Sequence, residues 1–304
     1  MAGLKALIPL DGTSLSESAF EMLPLLKSMG FDSARLVSVW ESAWEESEAG
    51  SNEQGFGEAT EKGRSYLAAY LEKQAGAVRA AGLESEIDVR IGRAAEEVIA
   101  AAAQGVDLVL IATHGRSGIA RWWLGSVADK VVREVTCPVL LIGPNVQQDL
   151  TVPPSRILLP LDGSTEAEAA IPVAAWIAGL TGAEIEAVRC MSLTPVAYDP
   201  GMSIYSAELI DSMEEAVREY LAGVESKLPG RKVKTTMLVG GPGEMLTQHL
   251  DENPAGLVVM TSHGRSGVAR VALGSVTDRL LHGPAPVLVV RSGGGLAAAA
   301  KATS

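Results

Sequence analysis

Short apolar runs of strand length alternate along the chain with longer stretches whose apolar residues recur at the helical period. In the first half, KALIPL (5–10), ARLVSVW (34–40), SEIDVRI (85–91), DLVLIAT (107–113) and PVLLI (138–142) predict five strands. Four helices are predicted between them, at 16–29, 58–81, 94–104 and 126–135. The second half repeats the plan with RILLPL, EIEAVRC, KVKTTMLV, GLVVMTS and PVLVV, and with helices near 165–179, 205–227, 243–252 and 275–282. These strands are Val, Ile and Leu runs without clean alternation, the pattern of a parallel sheet covered by helices on both faces. Each half therefore predicts a doubly wound α/β domain. In such domains ligands collect beyond the carboxyl ends of the strands, where the winding reverses.

The halves are copies of one unit. ALIPLDGTSLSESAF (6–20) returns as ILLPLDGSTEAEAAI (157–171), which sets Asp162 against Asp11. IATHGRSGIARWWLGSVADKVVREVTCPVLLI (111–142) returns as MTSHGRSGVARVALGSVTDRLLHGPAPVLVV (260–290). Two units of roughly 150 residues in tandem lie within the usual domain range and are too long for a solenoid repeat. The expected domains are 1–143 and 155–292, joined by a polar, Pro- and Gly-containing linker at 144–154 and followed by a mobile tail at 293–304.

Composition narrows the function classes. The chain has 304 residues, 47% of them hydrophobic, enough for a substantial core in each unit. Lys plus Arg number 25 against 37 Asp plus Glu, and the resulting net charge of -12 opposes attraction to nucleic-acid backbones and anionic lipid. Two cysteines, Cys137 and Cys190, cannot build a disulfide framework. The start lacks a signal-peptide pattern, and no stretch reaches the ~18 apolar residues of a membrane span. A cytoplasmic protein is expected.

The candidate chemistry lies at the strand ends. After the fourth strand come Ala112, Gly115 and, after nine intervening residues, Gly125 and Ser126 opening a helix. Glycines let backbone N–H groups approach a phosphate closely or take positive φ. Ser126 with Asp129 has the S-x-x-D form of a capping box, which would present free N–H groups at a helix start. The second copy has Thr261, Gly264, Gly274, Ser275 and Asp278. Taken singly, such a glycine is a turn and such a serine a cap; the complete spacing occurring twice points to an anion site. Asp11 and Asp162, at the tip of the first strand, have two roles open to them: accepting hydrogen bonds from a ribose hydroxyl or an exocyclic amine, or capping the following helix. Val39 and Val188, ending the second strand, offer an apolar side to a base or serve as core. Arg116 and Arg265 either neutralise phosphate as guanidinium forks or remain solvated. His114 and His263 recur, but no second ligand stands at metal spacing beside them, so they are read as loop-packing or phosphate-near residues. The G-x-S-x-G elbow, the Walker A loop and the Rossmann G-x-G-x-x-G are absent, and no catalytic residues are assigned.

The strand-tip P-L-D-G-[ST], T-H-G-R-S-G with S-H-G-R-S-G, L-G-S-V-[AT]-D and the closing [CA]-P-V-L strand together resemble the universal stress protein family in its tandem two-domain form. The resemblance covers nearly all of both halves. It implies an adenine nucleotide alpha hydrolase-like fold of two five-stranded parallel sheets, packed as an intramolecular pseudo-dimer through the last strands, PVLLI and PVLVV. Each is an apolar edge strand that requires a cover. The resemblance further implies ATP held by a G-x-x-G-x9-G-[ST] motif, which maps onto Gly115, Gly125, Ser126, Asp11 and Val39, and onto Gly264, Gly274, Ser275, Asp162 and Val188. Magnesium would ride on the phosphates. The first glycine of the motif is Ala112 in one copy and Thr261 in the other. Thr, β-branched and averse to positive φ, weakens the expectation for the second site. The acidic segment 41–60 is a candidate flap, and Trp122 and Trp123, replaced by Val271 and Ala272, make the two rims unlike. Three functions follow: a nucleotide-binding stress-response protein without rapid turnover, a nucleotide-free interaction module, or a slow ATP hydrolase.

Overall fold

The computed structural model describes residues 3–41, 53–113, 124–146, 149–192, 207–261 and 274–291, with side chains of 53–59 and 207 outside the description. In the first half, strands β1 (Leu4–Pro9), β2 (Phe31–Trp40), β3 (Glu84–Ile91), β4 (Leu108–Ala112) and β5 (Val139–Ile142) alternate with helices. These helices are α1 (Ser14–Glu17), α2 (Leu23–Ser28), α3 (Glu53–Ala80), α4 (Ala94–Ala102) and α5 (Ser126–Glu134). In the second half, β6 (Arg156–Pro160), β7 (Glu184–Met191), β8 (Val233–Val239), β9 (Leu257–Thr261) and β10 (Val287–Val290) alternate with α6 (Thr165–Glu168), α7 (Ile171–Thr181), α8 (Ala207–Ser226), α9 (Pro242–Glu252) and α10 (Ser275–Leu281).

The single helices expected at 16–29 and 165–179 are each broken. A 3-10 turn, Ser18–Met22, separates α1 from α2, and α6 ends at Glu168 before α7 begins at Ile171. The cause is Pro24 and Pro172, which sit in the first turn of α2 and of α7 and have no N–H to continue a preceding helix.

All ten strands form one sheet in the order β3-β2-β1-β4-β5-β10-β9-β6-β7-β8. Within each half the neighbours are parallel, and the chain reverses its direction of winding at β1/β4 and at β6/β9. The halves meet where β5 and β10 pair antiparallel, with Val287 opposite Leu141, Leu288 opposite Leu140 and Val289 opposite Val139. All six residues are buried. Each last strand covers the other's apolar edge, which would otherwise template aggregation. The core is correspondingly shared. One cluster, on the face of α2, α3, α7 and α8, joins Leu71 and Leu140 to Ile177 and Leu288. The other, on the face of α4, α5, α9 and α10, joins Val98 and Leu141 to Leu250 and Val287. The outer strands β3 and β8 carry Glu84, Glu86, Asp88, Arg90 and Lys234, charges that blunt an open edge.

Candidate functional site

A cavity of about 650 Å³ opens beyond the carboxyl ends of β6, β7 and β9, at the second half's reversal of winding. That volume falls in the range of small-molecule sites. Five of the sequence-predicted residues, Asp162, Val188, Thr261, Gly274 and Ser275, line it together. Gly115, Arg116, Gly264 and Arg265 lie outside the described residues, as do His114, His263, Trp122, Trp123, most of the 41–60 segment and the tail. In the first half, Asp11, Ala112, Gly125 and Ser126 occupy the corresponding strand and helix ends, and Val39 lies near the end of β2.

Each strand-tip aspartate organises the turn that follows it. Asp162 Oδ1 accepts from the Ser164 N–H at 2.9 Å and the Ser164 hydroxyl at 2.6 Å, and Ser164 in turn caps α6 by accepting from the Ala167 N–H. Asp11 Oδ1 does the same with Thr13, at 3.0 and 2.5 Å. The helix cap is thus Ser164 or Thr13, with the aspartate one step behind it at the strand tip. Gly163 between them has φ +85°, a left-handed conformation that favours glycine, and the Arg189 guanidinium lies against the place of its missing Cβ.

Three expectations are corrected. Ser126 and Ser275 are the first helical residues of α5 and α10; the N-caps are Gly125 and Gly274. The N–H of Asp129 and of Asp278 closes on the carbonyl of that glycine at 2.9 Å, so the helices begin at the serines, as their predicted bounds have it, but without a serine side-chain cap. Gly125 and Gly274 also have φ of -53° and -57°, so neither is there for positive φ; a Cβ on Gly125 would meet open space. Thr261, expected to weaken the second site, is the last residue of β9, where extended backbone suits a β-branched side chain, and it lines the cavity.

Val39 and Val188 are not equivalent. Pro9 pairs with Val37 and Pro160 with Val188, so the counterpart of Val188 is Val37 and that of Val39 is Cys190. By the same registers Trp40 matches Met191, and Ile111 matches Met260. On the covering helices the run Leu67, Tyr70, Leu71 matches Val217, Tyr220, Leu221, which sets Gly63 against Met213. In the first half the Trp40 indole lies directly on the Gly63 backbone, where any Cβ would collide with it. An aromatic ring therefore spans the gap between β2 and α3. Met191 and Met213 at those positions leave the second gap as part of the cavity.

Among the described residues, the ionisable ones lining the cavity are Asp162, Arg189 and Cys190. Arg189 stacks over the Tyr220 ring, 4.4 Å from its centroid. Its first-half counterpart, Ser38, is turned inward and donates to the Leu10 carbonyl at 2.5 Å. Burial, with Glu168 nearby, pushes the Tyr220 hydroxyl up to about 12, and burial pushes the Cys190 thiol up to about 11. Sequence reasoning sought the site's cations in the glycine loop and passed over Arg189. The V-R-C at the end of EIEAVRC, against V-S-V in the first half, is the signal that marks it.

A sequence model of the universal stress protein family matches this chain twice, over residues 4–143 and 154–291. A universal stress protein of Mycobacterium tuberculosis is 33% identical over 189 residues, 61% of this chain and 62% of that relative. A second universal stress protein of the same organism is 30% identical over 192 residues, with the same coverage. The chain thus spans less than two thirds of the length of these curated relatives. The crystal structure of a universal stress protein from Archaeoglobus fulgidus superposes with a TM-score of 0.69 at 20% identity, covering 95% of this chain and 96% of that one. Two matches that between them account for nearly all described residues place this chain in the universal stress protein family.

Proposed function

We propose that this chain binds an adenine nucleotide, ATP, in the second-half cavity, and that the bound nucleotide acts as a conformational or oligomeric signal in a cytoplasmic stress response, without rapid turnover. The observation that carries the reading is the convergence of Asp162, Val188, Thr261, Gly274 and Ser275 on one cavity at the winding reversal. Val188 and Leu246 supply apolar contact for a base, Asp162 an acceptor, and Arg189 a cation at the rim. Gly274 brings backbone close to a phosphate without a side chain in between. Magnesium would be carried on the phosphates.

The test is calorimetry with ATP and magnesium, together with mass determination of any small molecule released when the purified protein is heat-denatured. At a ligand concentration of 100 Kd, binding to the native state adds about 2.7 kcal/mol of stability, read as a higher Tm. The variant Gly274→Val, whose φ of -57° and ψ of 141° suit valine, is expected to fold and to lose that rise. Gly125→Val is expected to keep it. A rise retained in Gly274→Val would overturn the assignment to the second half. No rise in the parent protein would leave the nucleotide-free interaction module as the function.

A further inference from the structure

The walls of the second-half cavity are rich in sulfur. Met191, Met213, Met260 and Cys190 line it, from β7, α8 and β9. Their first-half counterparts are Trp40, Gly63, Ile111 and Val39. The fold therefore does not require sulfur at these places, since the same unit closes around four sulfur-free residues. Met22 and Met29, by contrast, are fully buried in the first-half core at 0% exposure, while Met191 and Met260 retain 4% and 7% and border the cavity.

We propose that this cavity is an oxidative modification site, at which a hydroperoxide converts Met191, Met213 and Met260 to sulfoxides and thereby empties the cavity of its ligand. The oxidation itself is independent of the nucleotide reading; the loss of ligand rests on it. In the step, the thioether sulfur attacks one peroxide oxygen and the O–O bond breaks. An S–O bond forms, and the second oxygen takes up the proton of the first and leaves as water from hydrogen peroxide or as the alcohol from an organic hydroperoxide. Sulfur loses two electrons and the peroxide gains them. No thiolate is needed. This matters because burial holds both the Cys190 and Cys137 thiols up at about 11, in the unreactive protonated form at neutral pH. A thioether carries no proton to lose, so its oxidation is controlled by access. Once formed, the sulfoxide oxygen places a polar acceptor in a wall that also carries the apolar side chains of Leu161, Val188, Val217 and Leu246. The altered wall is polar where a base would have to pack.

The experiment is peptide mass mapping of the full chain during dilute hydrogen peroxide treatment, with and without ATP and magnesium, and circular dichroism to follow the fold. In nucleotide-free protein Met191, Met213 and Met260 are expected to oxidise ahead of Met22 and Met29, and oxidation of the three no faster than of that core pair would overturn the proposal. ATP is expected to slow oxidation at the three cavity methionines and to leave the half-buried Met237 and Met245, which do not line the cavity, unchanged. Peroxide should weaken ATP binding at least about tenfold, or 1.4 kcal/mol, and the triple variant M191L/M213L/M260L should show no peroxide-dependent change. If calorimetry shows ATP bound and peroxide leaves its affinity unaltered, the coupling to ligand is refuted. If calorimetry shows no ATP binding, the nucleotide reading fails on its own, and the order of oxidation in the peroxide-treated, nucleotide-free protein still decides the modification site.

Discussion

Glu186, midway along β7, has no solvent exposure, yet it is held ionised by four partners. Arg156 Nη1 lies 2.6 Å from Oε2; Lys234 Nζ, Thr236 Oγ1 and His249 Nε2 lie 2.9, 2.7 and 3.1 Å from Oε1. Burial alone would raise the pKa of this carboxyl. The hydrogen bonds and ion pairs outweigh it and lower the value from the usual 4.5 to about 2. A shift of that size corresponds to about 3 kcal/mol of stability. Because the folded-state value is the lower one, this stability is fully present above pH 4.5 and is lost as pH falls towards 2. The perturbation to make is Glu186→Gln. At pH 7 it leaves Arg156 half-compensated, through its bond to the Asn253 carbonyl, whereas the half-exposed Lys234 can turn to water, so a loss of about 3 kcal/mol is expected. The assay is urea unfolding of both proteins at pH 7, 5, 4, 3 and 2. The gap between them should close by about 3 kcal/mol from pH 5 to 2. The first half supplies the control. There the sheet position of Glu186 is taken by Arg35 and that of Lys234 by Glu86, which pairs with Lys5 and Arg35 but is 46% exposed. Glu86→Gln should cost below about 1 kcal/mol. A Glu186→Gln protein as stable as the parent at pH 7, or a gap that does not change with pH, would refute the reasoning.

Other consequences are as direct. Gly125→Ala should stay within about 0.5 kcal/mol of the parent by thermal unfolding, because its Cβ enters open space at an allowed φ. Gly163→Ala, at φ +85° and against the Arg189 guanidinium, should destabilise by at least about 1 kcal/mol in the same measurement. Leu288→Ala removes a fully buried residue from the antiparallel seam and should cost about 2–5 kcal/mol in urea unfolding, with both halves losing stability together because the core clusters cross the seam. Separate transitions for the two halves of the parent protein would contradict that shared core.

Most of the fold is legible in the sequence because two independent copies report on the same structure. The strand runs are long, β-branched and repeated, and the structure returns all ten strands to within a few residues. Where sequence reading falls short, the missing information is geometric. Pro24 and Pro172 break helices whose apolar spacing continues through them, since hydrophobic periodicity does not register a lost N–H. The equivalence of Val39 with Val188 fails because matching apolar residues in linear alignment is blind to a two-residue slip, whereas the β1–β2 and β6–β7 ladders fix the register. Two positions apart on a strand is the same face, so both residues point the same way and the slip leaves no trace in the pattern. Thr261 looks unfavourable only if its backbone needs positive φ; in the structure it ends a strand. Arg189 and the methionines are missed because a motif search follows what the copies share, and these residues are where they differ.

That difference is physically permitted by the seam. In a symmetric pair of identical chains, a substitution that fills one cleft fills both, and the site is lost from the assembly. Here β5 and β10 hold the two copies in one sheet while each remains free to vary at its outer end. Trp40 lying on Gly63 in one copy adds aromatic packing between β2 and α3, and the other copy, with Met191 and Met213, keeps the space open. The charge clusters have diverged in the same way, with a buried carboxylate at the centre of one and a half-exposed one at the edge of the other. Fusion thus separates two demands that compete within a single unit: packing the end of the sheet for stability, and leaving it hollow, as the proposed nucleotide site requires.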